Sequence, residues 1–289
     1  MTIAITGASG ALGRATAEFV LQVLQRTDPA NVVLTTRNPD SLADFTARGA
    51  SVRRADFSDP ASLATAFASV DKLLLISTDA VVARLDQHLA AISAASQAGV
   101  RHIAYTSVPQ PISANPALVV ADHAATEQAI KDSGMGWTML RNNLYTHMQV
   151  SGIEHAAASG QLVANSAAGA TAYVTREDCA AVAATIITQD GHDNHVYDVT
   201  GARAWSAADL AALAGEIGDR EVQLVQVDDY AYRDGLVQAG LPQAVAELLT
   251  SFGASTRGGF LADVSPTVED LTGRPATELD AAVRSALKV

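Results

Sequence analysis

The sequence predicts an α/β protein, with a doubly wound parallel sheet, helices on both faces and a smaller C-terminal region. Short apolar segments alternate with helical segments of about 10–15 residues through the first half. A glycine-rich stretch directly follows the first apolar segment, and the regular alternation loosens after Asn142. Strands joined through helices run parallel, because each helix carries the chain back across the sheet.

The first half contains six predicted strands, chosen by length and apolarity, at residues 2–6, 32–36, 51–55, 72–76, 101–106 and 137–140. Helices are predicted between them at residues 11–25, 39–48, 60–69, 80–98 and 119–133. Pro39 and Pro60 favour first helical turns, and Gly99 and Gly134 favour helix ends. This order is typical of the Rossmann fold, whose ligands bind at the carboxyl ends of the strands.

The second half has a less regular pattern. Helices are predicted at residues 144–159, 176–188, 206–217, 245–252 and 278–287, and strands at residues 195–199 and 222–227. Residues 256–260 are expected to be flexible. We therefore expect a dinucleotide-binding domain at residues 1–142 and a smaller substrate-binding region at residues 143–289, with some strands returning to the main sheet.

Composition excludes several classes of protein. The 289 residues include 19 basic and 31 acidic side chains, for a net charge of −12, which disfavours nucleic-acid binding. No segment has the roughly 18 uninterrupted apolar residues of a membrane span. The N-terminus has no signal-peptide pattern, so a cytoplasmic protein is expected, as a monomer or homodimer without a membrane partner.

Cysteine and histidine give little sign of redox or metal chemistry. The single cysteine, Cys179, precludes an intrachain disulfide and is expected to be a small buried side chain. The histidines show no metal-ligand spacing, so no metal is expected.

The glycine-rich stretch has the spacing G-x-x-G-x-x-G, with Gly7, Gly10 and Gly13 between the first strand and the first helix. The first glycine permits a tight turn, the second lets a pyrophosphate approach the backbone, and the third allows close packing of the helix. The free N–H groups of the helix start favour an anion. The predicted pyrophosphate site comprises Gly7, Ser9, Gly10, Ala11, Leu12 and Gly13.

The end of the second strand predicts the choice of cofactor. An NAD site usually has an acidic residue there to bind the ribose 2′-hydroxyl, but this chain has Arg37. An arginine can pair with a 2′-phosphate, so NADPH is favoured over NADH. Asp56 is expected to accept the adenine amino group beside Phe57, and Ser77 and Thr78 to flank the nicotinamide half.

Seven stretches together carry a resemblance to a known family, at residues 5–10, 36–39, 72–77, 103–107, 140–142, 175–178 and 273–275. The chain resembles the NmrA-like, atypical short-chain dehydrogenase/reductase family over nearly its whole length. It is most similar to the bacterial NADPH-dependent quinone reductases of the quinone oxidoreductase 2 type. The resemblance implies NADPH binding and two-electron reduction of a quinone or similar carbonyl, without fixing the substrate.

The usual catalytic acid of short-chain dehydrogenases is missing. Tyr105 and Tyr145 are followed four residues later by Pro109 and Gln149, so neither begins a Tyr-x-x-x-Lys motif. Related isoflavone-reductase-like enzymes have a lysine where this chain has His123. A quinone needs little acid catalysis, because hydride transfer places charge on a stabilised oxygen.

His123 and Tyr145 are the candidate catalytic residues. His123 is expected either to donate a proton, with a pKa near working pH and Glu127 orienting it, or only to hydrogen-bond the ribose or a loop. Tyr145 and His147 line a quinone pocket or simply pack. Arg141 is a site residue or a structural ion-pair partner. The expected cofactor contacts past strands five and six are Thr106, Ser107 and Asn142.

Three functions are compatible with these patterns. The first is an NADPH-dependent reductase of a quinone or aromatic carbonyl. The second is a sensor that binds NADP(H) and a partner protein without turnover. The third is a tailoring oxygenase or reductase of a polycyclic aromatic product. NADPH consumption separates enzyme from sensor, and oxygen uptake separates reductase from oxygenase.

Overall fold

A computed structural model describes residues 1–23, 29–80 and 83–289. Its centre is a seven-stranded, wholly parallel sheet in the order β3-β2-β1-β4-β5-β6-β9. The strands span Ile3–Ile5 (β1), Val32–Thr36 (β2), Ser51–Arg54 (β3), Lys72–Leu75 (β4), His102–Ser107 (β5), Gly136–Asn142 (β6) and His195–Val199 (β9). The predicted doubly wound sheet is confirmed, and one strand from the second half completes it.

Helices cover both faces of this sheet because successive strand residues point in opposite directions. Ile3 and Ile5 enter one core with α1 and α7, while Ala4 enters the other, with α3, α4 and α5. The helices associated with the sheet are α1 (Ala11–Val23), α2 (Ala43–Ala47), α3 (Pro60–Ala66), α4 (Arg84–Gln97), α5 (Val120–Asp132), α7 (Arg176–Thr188) and α11 (Thr267–Thr272). The central strands are therefore fixed by apolar packing on both sides, whereas the edge strand β3 contributes only Val52, to one core.

The rest of the second half forms a separate core beside the carboxyl edge of the sheet. Its strands make two small sheets, β7 (Gln161–Ala164) with β11 (Gln223–Gln226), and β8 (Ala170–Thr171) with β10 (Trp205–Ser206). Its helices are α6 (His147–Ser159), α8 (Ala207–Gly218), α9 (Asp229–Gln238), α10 (Gln243–Arg257) and α12 (Leu279–Leu287). Ile153, Tyr173, Trp205, Leu210 and Val283 lie in this core.

Several boundaries differ from the sequence predictions. The helix expected at 39–48 starts as a 3₁₀ turn, Pro39–Leu42, before α2. The helix expected from residue 144 begins at His147, because the carbonyl of Leu144 instead accepts a hydrogen bond from the amide of Val174. The predicted helix 11–25 extends beyond the described residues after 23, and residues 81–82 of predicted helix 80–98 also lie outside them.

The expected flexible segment at 256–260 was partly wrong. Helix α10 continues through Arg257, whose guanidinium pairs with the carboxylate of Asp229 at 2.9 Å. Helices α9 and α11 were not predicted. The Asp229–Arg257 ion pair joins the start of α9 to the end of α10. It therefore holds Arg257 in the helix, where the sequence predicts a flexible segment.

Cys179 lies on α7 and is 2% exposed, and burial raises the pKa of its thiol well above the usual value. The prediction of a small buried side chain is confirmed for this residue. No described helix is long and apolar enough to cross a membrane. Among residues 1–23, 29–80 and 83–289, no group of three or more His, Cys, Asp or Glu side chains is arranged to hold a metal ion.

Candidate active site and cofactor cleft

A cleft of about 550 Å³ lies over the carboxyl ends of the parallel strands. It is centred where the strand order reverses between β1 and β4, the place where open α/β sheets leave a crevice for ligands. The predicted site residues that line it are Gly7, Ser9, Gly10, Ala11, Leu12, Gly13, Arg37, Asp56, Phe57, Ser77, Thr78 and Tyr145. Lining residues that were not in the predicted cofactor site include Thr35, Thr36, Ser58, Gln87, His147 and Arg176.

The glycine loop is shaped to receive an anion. Gly7 has φ +59°, a left-handed conformation that favours glycine. A Cβ on Gly13 would lie 2.4 Å from the carbonyl oxygen of Gly7, so no side chain fits there. Helix α1 begins at Ala11, and its first three residues line the cleft. The first N–H groups of a helix have no partner within it and favour an anion. The geometry therefore fits a pyrophosphate at the start of α1.

Arg37 lies exposed at the rim of the cleft, immediately after β2. It forms no hydrogen bond or ion pair with any other residue in the described ranges. Next to it, the hydroxyl of Thr36 donates to the hydroxyl of Ser9 at 2.9 Å and ties β2 to the glycine loop. A guanidinium without a protein partner is available to a phosphate on the adenosine ribose.

The opposite rim of the adenine end comes from the loop after β3. Asp56 accepts a hydrogen bond from the amide of Ser58 at 3.0 Å, which fixes its carboxylate, and Phe57 follows it along the wall. Arg54 pairs with Asp59 at 2.9 Å. These contacts hold a carboxylate acceptor beside an aromatic ring at this rim of the cleft.

The loop after β4 is held from behind by buried side chains. The amide of Ser77 donates to Thr106 Oγ1 at 2.9 Å, and the amide of Thr78 donates to His88 Nε2 at 3.2 Å. Thr106 is only 4% exposed, so it supports the cleft instead of lining it. Thr35 and Thr78 each have a buried hydroxyl oxygen with no partner in the described residues, which fits a polar ligand at this edge.

Ser107 and Glu127 belong to an ion-pair cluster behind the cleft. Ser107 Oγ donates to Glu127 Oε1 at 2.7 Å, and Arg141 donates to both carboxylate oxygens of Glu127 at 3.0 and 2.9 Å. Glu127 is 3% exposed. The expectation that Glu127 orients His123 is therefore wrong, because the Glu127 carboxylate binds Arg141 instead. Of the two roles predicted for Arg141, the structure shows that of a structural ion-pair partner.

A directed chain of hydrogen bonds fixes the tautomer of His88. Its Nε2 accepts from the amide of Thr78, so the ring proton is on Nδ1. That nitrogen lies 3.0 Å from Thr126 Oγ1, whose own proton goes to the carbonyl of Asp122 at 2.7 Å. His88 therefore links the cleft wall at Thr78 to helix α5.

His123 is held by the next hydrogen bond of this cluster. The hydroxyl of Tyr105 lies 2.7 Å from His123 Nδ1 and 3.4 Å from His88 Nδ1. Because His88 Nδ1 carries a proton, Tyr105 does not donate to His88, and its short hydrogen bond is the one with His123. Burial, with Arg84 nearby, lowers the pKa of His123 to about 3 and that of His88 to about 4.

His123 is thus neutral at pH 7 and 4% exposed, behind Tyr105. The expectation that its pKa lies near working pH is wrong, because desolvation penalises the charged ring. A neutral imidazole can donate one hydrogen bond from its protonated nitrogen, but it is not a general acid at that pH. The positioning role that the sequence left open is the one compatible with this geometry.

These two histidines predict acid-sensitive stability. The unfolded chain binds protons on them below about pH 6.5, whereas the folded protein does so only near pH 4 for His88 and pH 3 for His123. The free energy of unfolding should therefore fall between pH 6 and 4 by about 1.4 kcal/mol per pH unit for each histidine. Urea unfolding of wild type and His88→Gln across this range measures the slope, with the exposed His155→Gln as matched control. Identical slopes in wild type and His88→Gln would contradict the assignment.

Tyr145, His147 and Arg176 form the other end of the cleft. The rings of Tyr145 and His147 stack with centroids 5.7 Å apart. Asn142 Nδ2 donates to the Tyr145 hydroxyl at 3.4 Å, so Asn142 supports the cleft from a buried position. Burial raises the pKa of Tyr145, which keeps its proton at neutral pH.

Arg176 lines the cleft and was not among the site residues predicted from the sequence. It is the first residue of α7, whose N-cap is Thr175, accepting from the amide of Asp178 at 3.0 Å. Asp178 is itself fully buried against Arg274, with an N–O distance of 2.6 Å. The Thr175-x-x-Asp178 capping pattern is the sequence feature that could have predicted this position. It marks the start of α7, and that start lies at the carboxyl edge of the sheet.

Comparison with known proteins agrees with this geometry. Residues 7–190 match the model of a family described as NAD(P)H-binding. The chain is 36% identical to quinone oxidoreductase 2 of Escherichia coli over 288 residues, 99% of each protein. It is 28% identical over 299 residues to an NmrA-like family domain-containing oxidoreductase of Aspergillus flavus, covering 99% of this chain and 95% of that protein.

A solved structure matches over the same length. The crystal structure of the NADPH-dependent quinone oxidoreductase of Escherichia coli complexed with NADPH superposes with a TM-score of 0.94. It is 34% identical in sequence and covers 99% of this chain and 100% of that chain. The sheet, the cleft and the second core therefore all have counterparts in one protein.

Proposed function

Because the chain belongs to the NAD(P)H-binding family, within its NmrA-like oxidoreductases, we propose that it is an NADPH-dependent reductase of quinones or quinone-like aromatic carbonyls. One observation carries the proposal: the carboxyl-edge cleft joins a glycine loop to Arg37, which has no partner in the described part of the chain, and this chain aligns end to end with a quinone reductase. The sensor and oxygenase alternatives are not favoured, since the relatives described above are named as oxidoreductases.

The residues present fit the nicotinamide cofactor. The loop from Gly7 to Gly13 would bind the pyrophosphate, Arg37 the 2′-phosphate, and Asp56 with Phe57 the adenine. When bound, NADPH supplies the hydride. Ser77 and Thr78, anchored by Thr106 and His88, hold the wall at the nicotinamide end.

Positioning is the main contribution of the protein to the reaction. Hydride transfer leaves a stabilised aromatic oxyanion that water can protonate, so no strong acid is required. The Tyr145 hydroxyl accepts from Asn142 and retains its own proton, which it can donate to a substrate oxygen. We assign Tyr145 this orienting role, and His123 the role of holding Tyr105 behind the wall.

The division expected from the sequence remains a proposal: residues 1–142 would supply the dinucleotide site and residues 143–289 the substrate side. Helix α7 and strand β9 of the second part pack in the core of the main sheet, and Arg176 lines the cleft. We propose a cytoplasmic monomer or homodimer that acts on a small molecule without nucleic-acid or membrane partners.

The decisive experiment follows NADPH absorbance with a panel of quinones and identifies the product by mass. A two-electron hydroquinone product without stoichiometric oxygen uptake is expected, and the Gly10→Val variant serves as the inactive control. NADPH binding without turnover on any quinone would identify a sensor, and oxygen incorporated into the product would identify an oxygenase.

A His123→Ala variant is expected to change kcat by less than about threefold, because the neutral, buried ring does not supply a proton. KM should rise, since Tyr105 loses its short hydrogen bond to His123 behind the cleft wall. Steady-state kinetics of wild type and variant between pH 5 and 8 measure both constants. A fall in kcat of about 10²-fold or more, with loss of an ionisation in this pH range, would restore His123 as the general acid.

A further inference from the structure

A second cavity, of about 400 Å³, lies wholly within residues 144–256. Large apolar side chains form most of its wall, among them Met148, Trp205, Leu210, Leu236 and Phe252. No Asp, Glu, Lys or Arg side chain lines it in the described part of the chain. The polar groups in the described lining, such as Gln149, Asn165 and His155, are amide, hydroxyl and imidazole groups and none is a carboxylate, ammonium or guanidinium. The cavity therefore suits an uncharged, mainly apolar ligand with a few polar atoms.

Helix α9 covers this cavity without a core of its own. None of its residues is buried, and its inward side chains Tyr232 and Leu236 face the cavity. Asp229 fixes the start of α9 through Arg257 at 2.9 Å and Asn165 at 2.8 Å. Because a surface helix normally buries its apolar stripe, an apolar ligand would complete the packing of α9.

One hydroxyl in this wall is available to a ligand oxygen. Within residues 1–23, 29–80 and 83–289, no group hydrogen-bonds the hydroxyl of Tyr232. Burial raises the pKa of Tyr232, so the hydroxyl remains a donor at neutral pH. The cavity therefore accepts an apolar body that carries at most a few neutral oxygens.

A single segment separates the second cavity from the cofactor cleft. Leu144 and Met148 line the cavity, while Tyr145 and His147 line the cleft. Consecutive Cα atoms are about 3.8 Å apart, so the two spaces adjoin across one thickness of chain. A molecule with its ring beside Tyr145 can extend a substituent over this segment.

We propose that the second cavity binds the apolar substituent of the substrate, so that the preferred substrates are uncharged quinones bearing an extended hydrocarbon chain. This inference rests on the proposed quinone reductase function, and it adds a specificity site that the cofactor cleft does not supply. The quinone ring is reduced in the cofactor cleft, and the hydrocarbon substituent of the substrate supplies binding energy in the second cavity.

The kinetic test uses 1,4-benzoquinones with no substituent, a pentyl chain or a decyl chain. KM should fall with chain length in wild type, by roughly two- to fourfold for each methylene that enters the cavity. Gly152→Phe blocks the cavity mouth: a Cβ there meets no heavy atom within 4 Å, so the helix accepts the side chain. This variant should lose the chain-length effect and keep wild-type kinetics with unsubstituted benzoquinone.

Gly235→Phe is the matched control, because Gly235 is an exposed helical glycine with equally open space and does not line the cavity. It should retain the chain-length effect. Leu236→Asp, which places a charge in the cavity wall from a helix without buried residues, is a second test should Gly152→Phe fold poorly. A chain-length effect that is absent in wild type, or unchanged in both blocking variants, would overturn the proposal.

An equilibrium measurement separates this proposal from the proposed function. The uncharged fluorophore N-phenyl-1-naphthylamine should bind wild type and Gly235→Phe, and bind Gly152→Phe at least tenfold more weakly. If it does so while no quinone is reduced, the cavity is an apolar binding site and the quinone reductase function fails. If the probe does not bind wild type, or binds Gly152→Phe equally well, the cavity proposal fails whatever the quinone kinetics show.

Discussion

Gly10→Val is expected to raise the Kd for NADPH by at least about 100-fold while the protein remains folded. A Cβ at this position would lie 3.2 Å from the carbonyl oxygen of Gly7, close enough to be tight but without deep overlap. The branched side chain would fill the space above the start of α1, where a pyrophosphate must approach the free N–H groups. Calorimetry measures the Kd, and circular dichroism checks the fold.

The exposed helical Gly235→Val is the control for introducing a β-branched residue at a glycine. It should bind NADPH as wild type does, since Gly235 lies outside the cleft. Near-normal NADPH binding by Gly10→Val, with an unchanged circular dichroism spectrum, would show that the pyrophosphate lies elsewhere.

Arg37→Ala is expected to weaken NADPH binding by about 10- to 100-fold and to leave NADH binding nearly unchanged. The loss corresponds to about 1.5–3 kcal/mol for a charge-assisted hydrogen bond to a phosphate. Arg37 has no partner among the described residues, so its removal breaks no contact within the fold that would complicate the result. The ratio of the two dissociation constants measures the effect.

Arg54→Ala is the matched control for Arg37→Ala. Arg54 ends the neighbouring strand β3, is exposed and does not line the cleft; its guanidinium pairs with Asp59 at 2.9 Å and lies 3.9 Å from Asp56. Because the adenine is common to NADPH and NADH, an effect through Asp56 would change both dissociation constants together. Its removal should leave the cofactor preference intact. Equal affinity of the wild type for NADPH and NADH would show that Arg37 does not bind the 2′-phosphate.

The first half of the fold was predictable because its signals are local. Each central strand is a short apolar segment buried on both faces, as in Val32–Thr36 and Lys72–Leu75. Such segments are distinct from the alanine-rich helices between them. The second half lacks this contrast: β8 and β10 are two residues long, and α9 has no buried residue from which a periodic pattern could arise.

The same distinction between local and distant signals applies to the site. The glycine loop and Arg37 follow the first two strands directly, so their placement at the carboxyl edge follows from the strand order. Glu127 has the right spacing to face His123 on a helix, yet its charge selects Arg141 on the adjacent strand. The burial that lowers the pKa of His123 depends on packing by distant residues, which the spacing of histidines does not reveal.

The inaccessible thiol of Cys179 has a consequence for an enzyme that handles quinones. Quinones are electrophiles that alkylate thiolates, and reactivity requires both exposure and the deprotonated form. The only cysteine in the chain is 2% exposed, with a pKa raised by burial. The folded protein therefore presents no reactive thiol to the compounds it reduces, and resistance to thiol alkylation by its own substrates follows from the packing of α7.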